Sequence, residues 1–229
     1  MIRLNVVVEG HTEREFVKRV LAPALGYEEY NVKPIVVSNT PVRQSQDHLG
    51  GGNFGSALRD IRNALRDRSA YCTTMFDYYG LPDDFPGLQS DDCPPPSQLG
   101  DRICYLERCL AEEIGDTHQF LPYLQVHEFE ALLFSRVETI DDALQTHGSD
   151  ESRLDDLRAI VNHFDHPERI DDDPETAPSK RLQTLYPSYD KRFHGEMIAH
   201  DIGLDCLRAE CPHFNAWIDR LESLHPLSS

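Results

Sequence analysis

Short runs of mostly apolar residues recur through the first 135 residues of the chain. The runs are residues 4–8, 32–37, 71–76 and 120–126. Runs of this length predict buried strands, and the apolar positions at helical spacing between them predict connecting helices. Alternating strands and helices are typical of an α/β fold with a mostly parallel sheet flanked by helices.

Beyond residue 135 the apolar positions keep only helical spacing, as in Leu154, Leu157, Ile160 and Val161. We therefore expect an α/β core at residues 1–135 and a mostly helical C-terminal portion at residues 136–229, packed together as one compact unit. The glycine run at 50–52 and the acidic run at 171–173 predict loops.

The first predicted strand leads directly into a predicted helix. Gly10 allows a sharp turn after the strand. Thr12 and Glu15 have the spacing of a capping box, and Phe16 begins an apolar helical period. The sequence therefore places Glu9 on a strand-to-helix turn, where open α/β sheets hold their ligands.

Acidic residues stand directly after three of the predicted strands: Glu9, Asp77 and Glu128, with Glu13 and Glu130 close behind. The carboxyl ends of parallel strands meet at one edge of a sheet, so these carboxylates are expected to converge. Converging carboxylates repel one another unless a cation lies between them, and oxygen ligands suit Mg²⁺ or Mn²⁺. An alternative stays open for Glu9 and Glu13, because acidic residues also stabilise a helix N-terminus.

Charge and composition narrow the class of protein. The chain has 229 residues, a net charge of −18 and six cysteines without a C-x-x-C pair. This acidity argues against a general nucleic-acid coat, although a bound divalent metal reverses the local sign of charge. Residues 138–176 hold 13 Asp and Glu against 3 Arg. Reduced thiols, with no signal peptide and no apolar run of membrane-spanning length, predict a cytoplasmic protein.

Basic residues are concentrated in two places. Arg59, Arg62 and Arg66 share one face of a predicted helix and are candidate contacts to phosphates, although a solvated helix face explains the row somewhat better when it is taken alone. Between residues 178 and 200 four Lys and Arg, among them Lys180, Lys191 and Arg192, stand against two Asp and Glu. We include Arg192 among the candidate nucleic-acid contacts.

Five blocks of this sequence, in order, resemble the DUF4276 family of Toprim-like bacterial proteins. The blocks are VEGHTE at 8–13, FDYYG at 76–80, HEFEALLF at 127–134, PSKR at 178–181 and PSYDK at 187–191. Toprim is the metal-binding module of topoisomerases, primases and overcoming-lysogenization-defect nucleases. The resemblance covers nearly the whole chain and implies a Toprim-like α/β fold with metal-dependent phosphodiester chemistry.

The resemblance also implies roles for particular residues. Glu9 and Glu13 match metal ligands of the nuclease relatives, and Asp77 matches the first aspartate of the Toprim Asp-x-Asp pair. Tyr79 stands where the second aspartate is expected, so Glu128 or Glu130 is left to supply that ligand. Lys191 or Lys180 would stabilise the charge of the transition state beside a metal-bound phosphate.

The resulting hypothesis is a metal-dependent nuclease that acts on DNA or RNA, as the effector of an anti-phage system with an ATPase partner. A non-catalytic adaptor that binds the ATPase is the alternative, and a hydrolase or phosphotransferase acting on a nucleotide is a third. Metal binding and the effect of Glu9→Ala distinguish these classes. A homo-oligomer is compatible with the sequence.

Overall fold

The structure is a computed structural model that describes residues 1–38, 54–115, 117–147, 151–170 and 176–227. The predicted loops at 50–52 and 171–173 lie outside the described residues. The chain divides into two compact units whose segments interleave. The first unit comprises Met1–Gly10, Tyr27–Leu124 and His225–Ser229, and the second comprises His11–Gly26 and Gln125–Leu224. The sequence-based boundary at residue 135 stays a prediction.

Within the described ranges five strands form one sheet. They are β1 (Ile2–Val8), β2 (Tyr30–Val36), β3 (Ala70–Asp77), β4 (Phe120–Leu121) and β5 (Leu124–Gln125). The order is β2-β1-β3-β4, every neighbouring pair on this path is parallel, and β5 also pairs with β3. All eight residues of β3 are buried, as expected of a central parallel strand.

Helices flank the sheet and make up most of the rest. They are α1 (His11–Phe16), α2 (Ala22–Leu25), α3 (Phe54–Ala64), α4 (Leu99–Ile114), α5 (Glu130–Leu133), α6 (Val137–His147), α7 (Leu154–Val161), α8 (Pro178–Leu185), α9 (Glu196–Ile202), α10 (Leu204–Glu210) and α11 (Pro212–Glu222). The predicted α/β class, with its parallel sheet and helical C-terminal part, is confirmed. Among the described residues, no helix is both long and apolar enough to cross a membrane.

The core of the first unit lies between the sheet and its helices. Helix α3 packs on β1 and β3, and α4 packs on β4. Ile61 of α3 and Leu106 of α4 are fully buried, together with Val6 and Val7 of β1. Burying such side chains contributes about 1.5–3 kcal/mol each relative to leaving them in water.

The fourth predicted strand, residues 120–126, is interrupted and forms β4 and β5 instead. Pro122 has no backbone N–H to donate to a neighbouring strand. Threonine hydroxyls of β3 supply the missing links: Thr73 donates to the Leu121 carbonyl at 2.6 Å, and Thr74 donates to the Tyr123 carbonyl at 2.8 Å. The Tyr123 N–H in turn donates to the Thr74 hydroxyl at 2.9 Å. Side chains therefore fasten the stretch that the proline interrupts.

The predicted capping box at Thr12 is wrong. Helix α1 begins at His11, so Thr12 lies inside the helix, and its hydroxyl donates to the Lys191 carbonyl at 3.4 Å. Glu15, the other member of the predicted box, forms ion pairs with Arg14 and Lys18. A tertiary contact has therefore taken the place of a local cap.

A buried aspartate organises part of the second unit. Asp141 is 3% exposed and accepts hydrogen bonds from the Tyr186 hydroxyl, the Ser152 hydroxyl and the Arg153 N–H. Gln145 donates a fourth hydrogen bond at 2.7 Å. Burial acts to raise the pKa of Asp141, but these donors outweigh it and hold the pKa below its ordinary value.

Replacing Asp141 by asparagine is expected to lower the free energy of unfolding at neutral pH by about 3 kcal/mol, because the donors lose a charged acceptor. The folded-state pKa is lower than the unfolded value, so this stabilisation is present above pH ~4 and is lost as pH falls through the folded-state pKa. Urea unfolding of wild type and variant should therefore differ strongly at pH 7 and converge in acid. Tyr186→Phe removes one donor and serves as the milder comparison. A constant difference across this pH range would contradict the assignment.

Candidate functional site

Two carboxylates lie at the ends of adjacent strands in the first unit. Glu9 directly follows β1, and Asp77 is the last residue of β3, where Val8 pairs with Met75. The Asp77 N–H donates to Glu9 Oε2 at 3.4 Å. Asp77 is buried and Glu9 is half-buried. The structure thus brings together these two of the predicted metal ligands.

Gly80 makes room for the Glu9 carboxylate. A Cβ atom at position 80 would lie 3.0 Å from Glu9 Oε2, closer than nearly all real contacts of a Cβ atom. Gly80 ends the 3₁₀ turn Tyr78–Gly80 that follows β3. Tyr79, which stands where the Toprim resemblance expects a second aspartate, is 40% exposed in the same turn. Glycine at position 80 therefore allows both the turn and the close approach of the Glu9 carboxylate.

In the second unit, Lys191 is held by two acidic side chains. Its Nζ lies 3.0 Å from Glu130 Oε2 and 4.0 Å from Glu13 Oε1. Glu130 is fully buried and Glu13 nearly so, whereas the Lys191 side chain is 36% exposed. An ammonium group thus already neutralises carboxylates that the sequence assigned to a metal.

Tyr189 and Asp190 position this ion pair. The Tyr189 hydroxyl donates to Glu130 Oε1 at 3.1 Å. Burial, followed by the charge of Glu130 and this hydrogen bond, raises the pKa of Tyr189 well above its ordinary value, so the phenol keeps its proton. Asp190 caps the π-helical turn Lys191–Gly195 by accepting the N–H groups of Arg192 and Phe193.

Glu128 has different surroundings from Glu130. Both carboxylate oxygens of Glu128 accept hydrogen bonds from Ser179, one from the backbone N–H and one from the hydroxyl at 3.0 Å. Ser179 lies in the first turn of α8, so Glu128 satisfies an N–H group that the helix leaves without an internal partner. Lys180, the next residue of α8, is exposed.

His127, directly before Glu128, adopts a left-handed backbone conformation with φ of 61°. It is 3% exposed, and burial lowers its pKa to about 4 against the opposing effect of a hydrogen bond to the Glu168 backbone. The imidazole is therefore neutral at pH 7. A non-glycine residue with positive φ is uncommon, and here it turns the chain sharply from β5 towards α5.

The arginines proposed as phosphate contacts are all exposed. Arg59 and Arg62 lie on α3, and Arg66 follows the end of that helix. Arg62 also donates to the carbonyl and the carboxylate of Glu113, each at 3.1 Å. Arg192 is exposed in the π-helical turn of the second unit. Their exposure is compatible with contacts to phosphates, and this role stays a prediction.

Three side chains that contact these acidic groups or Lys191 had no place in the predicted site: Tyr189, Ser179 and Thr12, the last of which was predicted only as a helix cap. Tyr189 and Ser179 lie within the PSYDK and PSKR blocks, and Thr12 lies within VEGHTE. Only their place in those blocks could have pointed to these residues. The hydroxyl groups of Ser179 and Tyr189 contact glutamates that are 51 and 59 residues away, and contacts over such separations do not affect the local hydrophobic periodicity.

The described part of the chain holds no group of three or more His, Cys, Asp or Glu arranged to bind a metal. The Glu9–Asp77 pair nevertheless fits Mg²⁺ or Mn²⁺ by its chemistry. Mg²⁺ commonly takes one or two carboxylates and completes its shell with water and substrate phosphates. We therefore regard Glu9 and Asp77 as the residues suited to hold such an ion.

Two solved structures are similar to this chain. The C-terminal region of the Burkholderia pseudomallei OLD protein is similar at 16% identity and a TM-score of 0.48, covering 96% of this chain and 97% of that chain. The C-terminal region of the Xanthomonas campestris pv. campestris OLD protein gives 17% identity and a TM-score of 0.41, covering 98% of each chain. No match was found among curated proteins.

A family model described as a domain of unknown function, DUF4276, matches residues 8–222. The match includes all five sequence blocks, and with them Glu9, Asp77, Glu130 and Lys191. The chain belongs to the DUF4276 family.

Proposed function

We propose that this protein is a metal-dependent phosphodiesterase that cleaves nucleic acid. The observation that carries the proposal is the pair of carboxylates at the ends of β1 and β3, with the Asp77 N–H donated to Glu9. Two adjacent strand ends that each present a carboxylate, beside a glycine that makes room, form an oxygen-rich position for a divalent cation.

Glu9 and Asp77 would hold Mg²⁺ or Mn²⁺. When bound, such an ion polarises a phosphoryl oxygen and lowers the pKa of a water molecule. The Asp77 N–H orients the Glu9 carboxylate, and Gly80, which has no side chain, leaves space for that carboxylate. These contacts prepare two ligands before any ion arrives, which reduces the cost of ordering them on binding.

Lys191 is the lysine that we assign to the phosphate. Glu130 and Glu13 pair with its ammonium group and limit its motion, and Tyr189 holds Glu130. A cation fixed in this way stabilises developing negative charge better than a mobile one. Lys180 is exposed on α8, so it lacks this preparation. Glu128 caps α8 through Ser179, and we assign it a structural role.

The proposal also includes a nucleic-acid substrate and an ATPase partner. Arg59, Arg66 and Arg192 are exposed and would contact the sugar–phosphate backbone without reading sequence. The ATPase partner and the role in anti-phage defence follow from the sequence resemblance to DUF4276 and Toprim proteins alone. We retain both as parts of the proposal.

The proposal is tested by titrating the protein with Mn²⁺ and Mg²⁺ in a calorimeter and by incubating it with supercoiled plasmid and with total tRNA. Saturable metal binding together with metal-dependent cleavage is the expected result. Binding without cleavage would favour activation by the partner, and repeating the assay with the ATPase present would test this. No binding of either ion would contradict the proposal.

A second candidate function is a non-catalytic adaptor that binds the ATPase. The observation that favours it is the Lys191 ammonium beside Glu130 and Glu13, where a cation is already supplied by the chain. A protein of this kind would bind its partner equally well with Glu9 and Asp77 replaced. Pull-down of the ATPase by wild type and by the double variant distinguishes this function from the nuclease.

Gly80→Ala is expected to weaken Mn²⁺ binding about tenfold, because the added methyl group displaces the Glu9 carboxylate. Gly80 does not have a positive φ, and a carboxylate end moves easily, so the free energy of unfolding should change by less than about 1 kcal/mol. Gly100→Ala is the matched control, since a Cβ there meets no atom within 4 Å. Equal metal affinity in both variants would show that the space at Gly80 does not position Glu9 for the ion.

A further inference from the structure

Phe193 is the exception among the phenylalanines of this chain. All ten lie in the described part of the chain, and eight of them are buried. Phe164 is half-buried with the Arg181 guanidinium over its ring. Phe193 is 58% exposed. Leaving a large apolar ring in water gives up the stabilisation that its burial would contribute, so its position calls for an explanation.

The ring stands on a rigid support. The Phe193 N–H donates to Asp190 Oδ1 at 3.2 Å, and the Arg192 N–H donates to the same oxygen at 2.8 Å. The edge of the ring meets buried His194, with centroids 4.9 Å apart and planes at 84°. His194 in turn accepts the Asp190 N–H and stacks on Tyr189. These contacts hold the backbone at Phe193, and His194 supports one edge of the ring.

The charges around the Phe193 ring indicate which kind of ligand it binds. Arg192, the preceding residue, is exposed, and Lys191 begins the same π-helical turn. Residues 178–200 carry four Lys and Arg against two Asp and Glu, in a chain whose net charge is −18. An exposed aromatic ring beside exposed positive charge is the combination that binds single-stranded nucleic acid, where bases stack and phosphates pair with cations.

We propose that Phe193 is a stacking platform for an unpaired base and that Arg192 contacts the neighbouring phosphate of the same strand. This inference rests on the proposed function and narrows its substrate to strands with unpaired bases. Stacking accepts any base, so the site selects single-stranded character without reading sequence. Lys191 lies two residues from the platform, so the strand is held next to the lysine assigned to the phosphate.

The test measures binding of two probes with Ca²⁺ in place of Mg²⁺. One is an oligothymidylate of about ten nucleotides, and the other is the same backbone with abasic sugars. Wild type should prefer the strand that carries bases. Phe193→Ala should raise Kd for that strand about tenfold and leave the abasic strand unchanged. Arg192→Ala should weaken both strands to the same extent, because it removes only a phosphate contact.

Two further variants test whether the preference for bases depends on an aromatic ring at position 193. Phe193→Trp should retain the preference, and the new indole fluorescence should be quenched by the thymidine strand and not by the abasic one. The only tryptophan of the wild type, Trp217, is buried and provides the baseline. Tyr27→Ala, which removes another exposed aromatic side chain, should change neither affinity.

The inference is overturned if wild type binds both strands equally, or if Phe193→Leu keeps the preference. The latter result would mean that an apolar contact at position 193, and not stacking on an aromatic ring, gives the preference for bases. Cleavage of the same strand with Mg²⁺ or Mn²⁺ is measured in parallel. Cleavage without a base-dependent effect of Phe193→Ala refutes the platform alone. A base-dependent effect without cleavage supports the platform, and the absence of cleavage with the ATPase present as well then refutes the nuclease alone.

Discussion

Glu9→Gln is expected to abolish Mn²⁺ binding and to lower metal-dependent cleavage by about a thousandfold or more. The change keeps the size of the side chain and removes the charge that a divalent ion requires. Losing the metal forfeits several kcal/mol of transition-state stabilisation, and each ~1.4 kcal/mol corresponds to a factor of ten. Calorimetry and plasmid or tRNA cleavage measure the two effects on one preparation.

Glu28→Gln is the control for this experiment. It makes the same chemical change on an exposed residue of the first unit and alters the net charge equally. Asp77→Asn should reproduce the loss seen with Glu9→Gln, since both carboxylates are assigned to the same ion. Full metal affinity in either variant would remove that residue from the proposed ligand set.

Lys191→Ala is expected to lower cleavage about 100- to 1,000-fold, the range found when one preorganised oxyanion donor is removed. It should also lower the free energy of unfolding by about 2 kcal/mol, because buried Glu130 loses its cation. Lys180→Ala removes an exposed lysine and should change neither quantity appreciably. Cleavage rates and urea unfolding curves are compared across the three proteins.

The double variant Lys191→Ala with Glu130→Gln separates catalysis from stability. Glutamine leaves no uncompensated charge at position 130, so most of the lost stability should return, and the Tyr189 hydroxyl keeps an acceptor. Cleavage should stay low, because no cation faces the phosphate. Recovery of cleavage together with stability would show that Lys191 serves only to neutralise Glu130.

Local patterns were sufficient to predict the sheet. The apolar residues of β1 and β3 identify these strands, because central parallel strands are buried on both faces. β2 stands at the end of the strand order and is the more polar strand, with only Tyr30 buried, yet its apolar residues were sufficient to mark it. The meeting of Glu9 and Asp77 followed from the same rule, since both stand at carboxyl ends of neighbouring strands. The interruption at Pro122 was the one strand feature missed, although the missing N–H was visible in the sequence.

Contacts between distant residues lay beyond local patterns. Glu128 and Glu130 are two residues apart and equally acidic, yet one caps α8 and the other binds Lys191. Only the packing of residues 178–191 against this segment distinguishes them. The same holds for Thr12. Its hydroxyl was predicted to cap a helix, but it donates to a backbone carbonyl 179 residues away.

The interleaving of the two units has a consequence during synthesis on the ribosome. Strands β1, β2 and β3 emerge within the first 77 residues and can pair early. Helix α1 emerges just as early, but Phe16 packs against Phe129 and Phe214, which are made much later. Its apolar face stays uncovered until residue 214 has been translated. A nascent chain, or a chain truncated before that residue, therefore presents this face to chaperones and proteases, and the second unit matures only when α11 has left the exit tunnel.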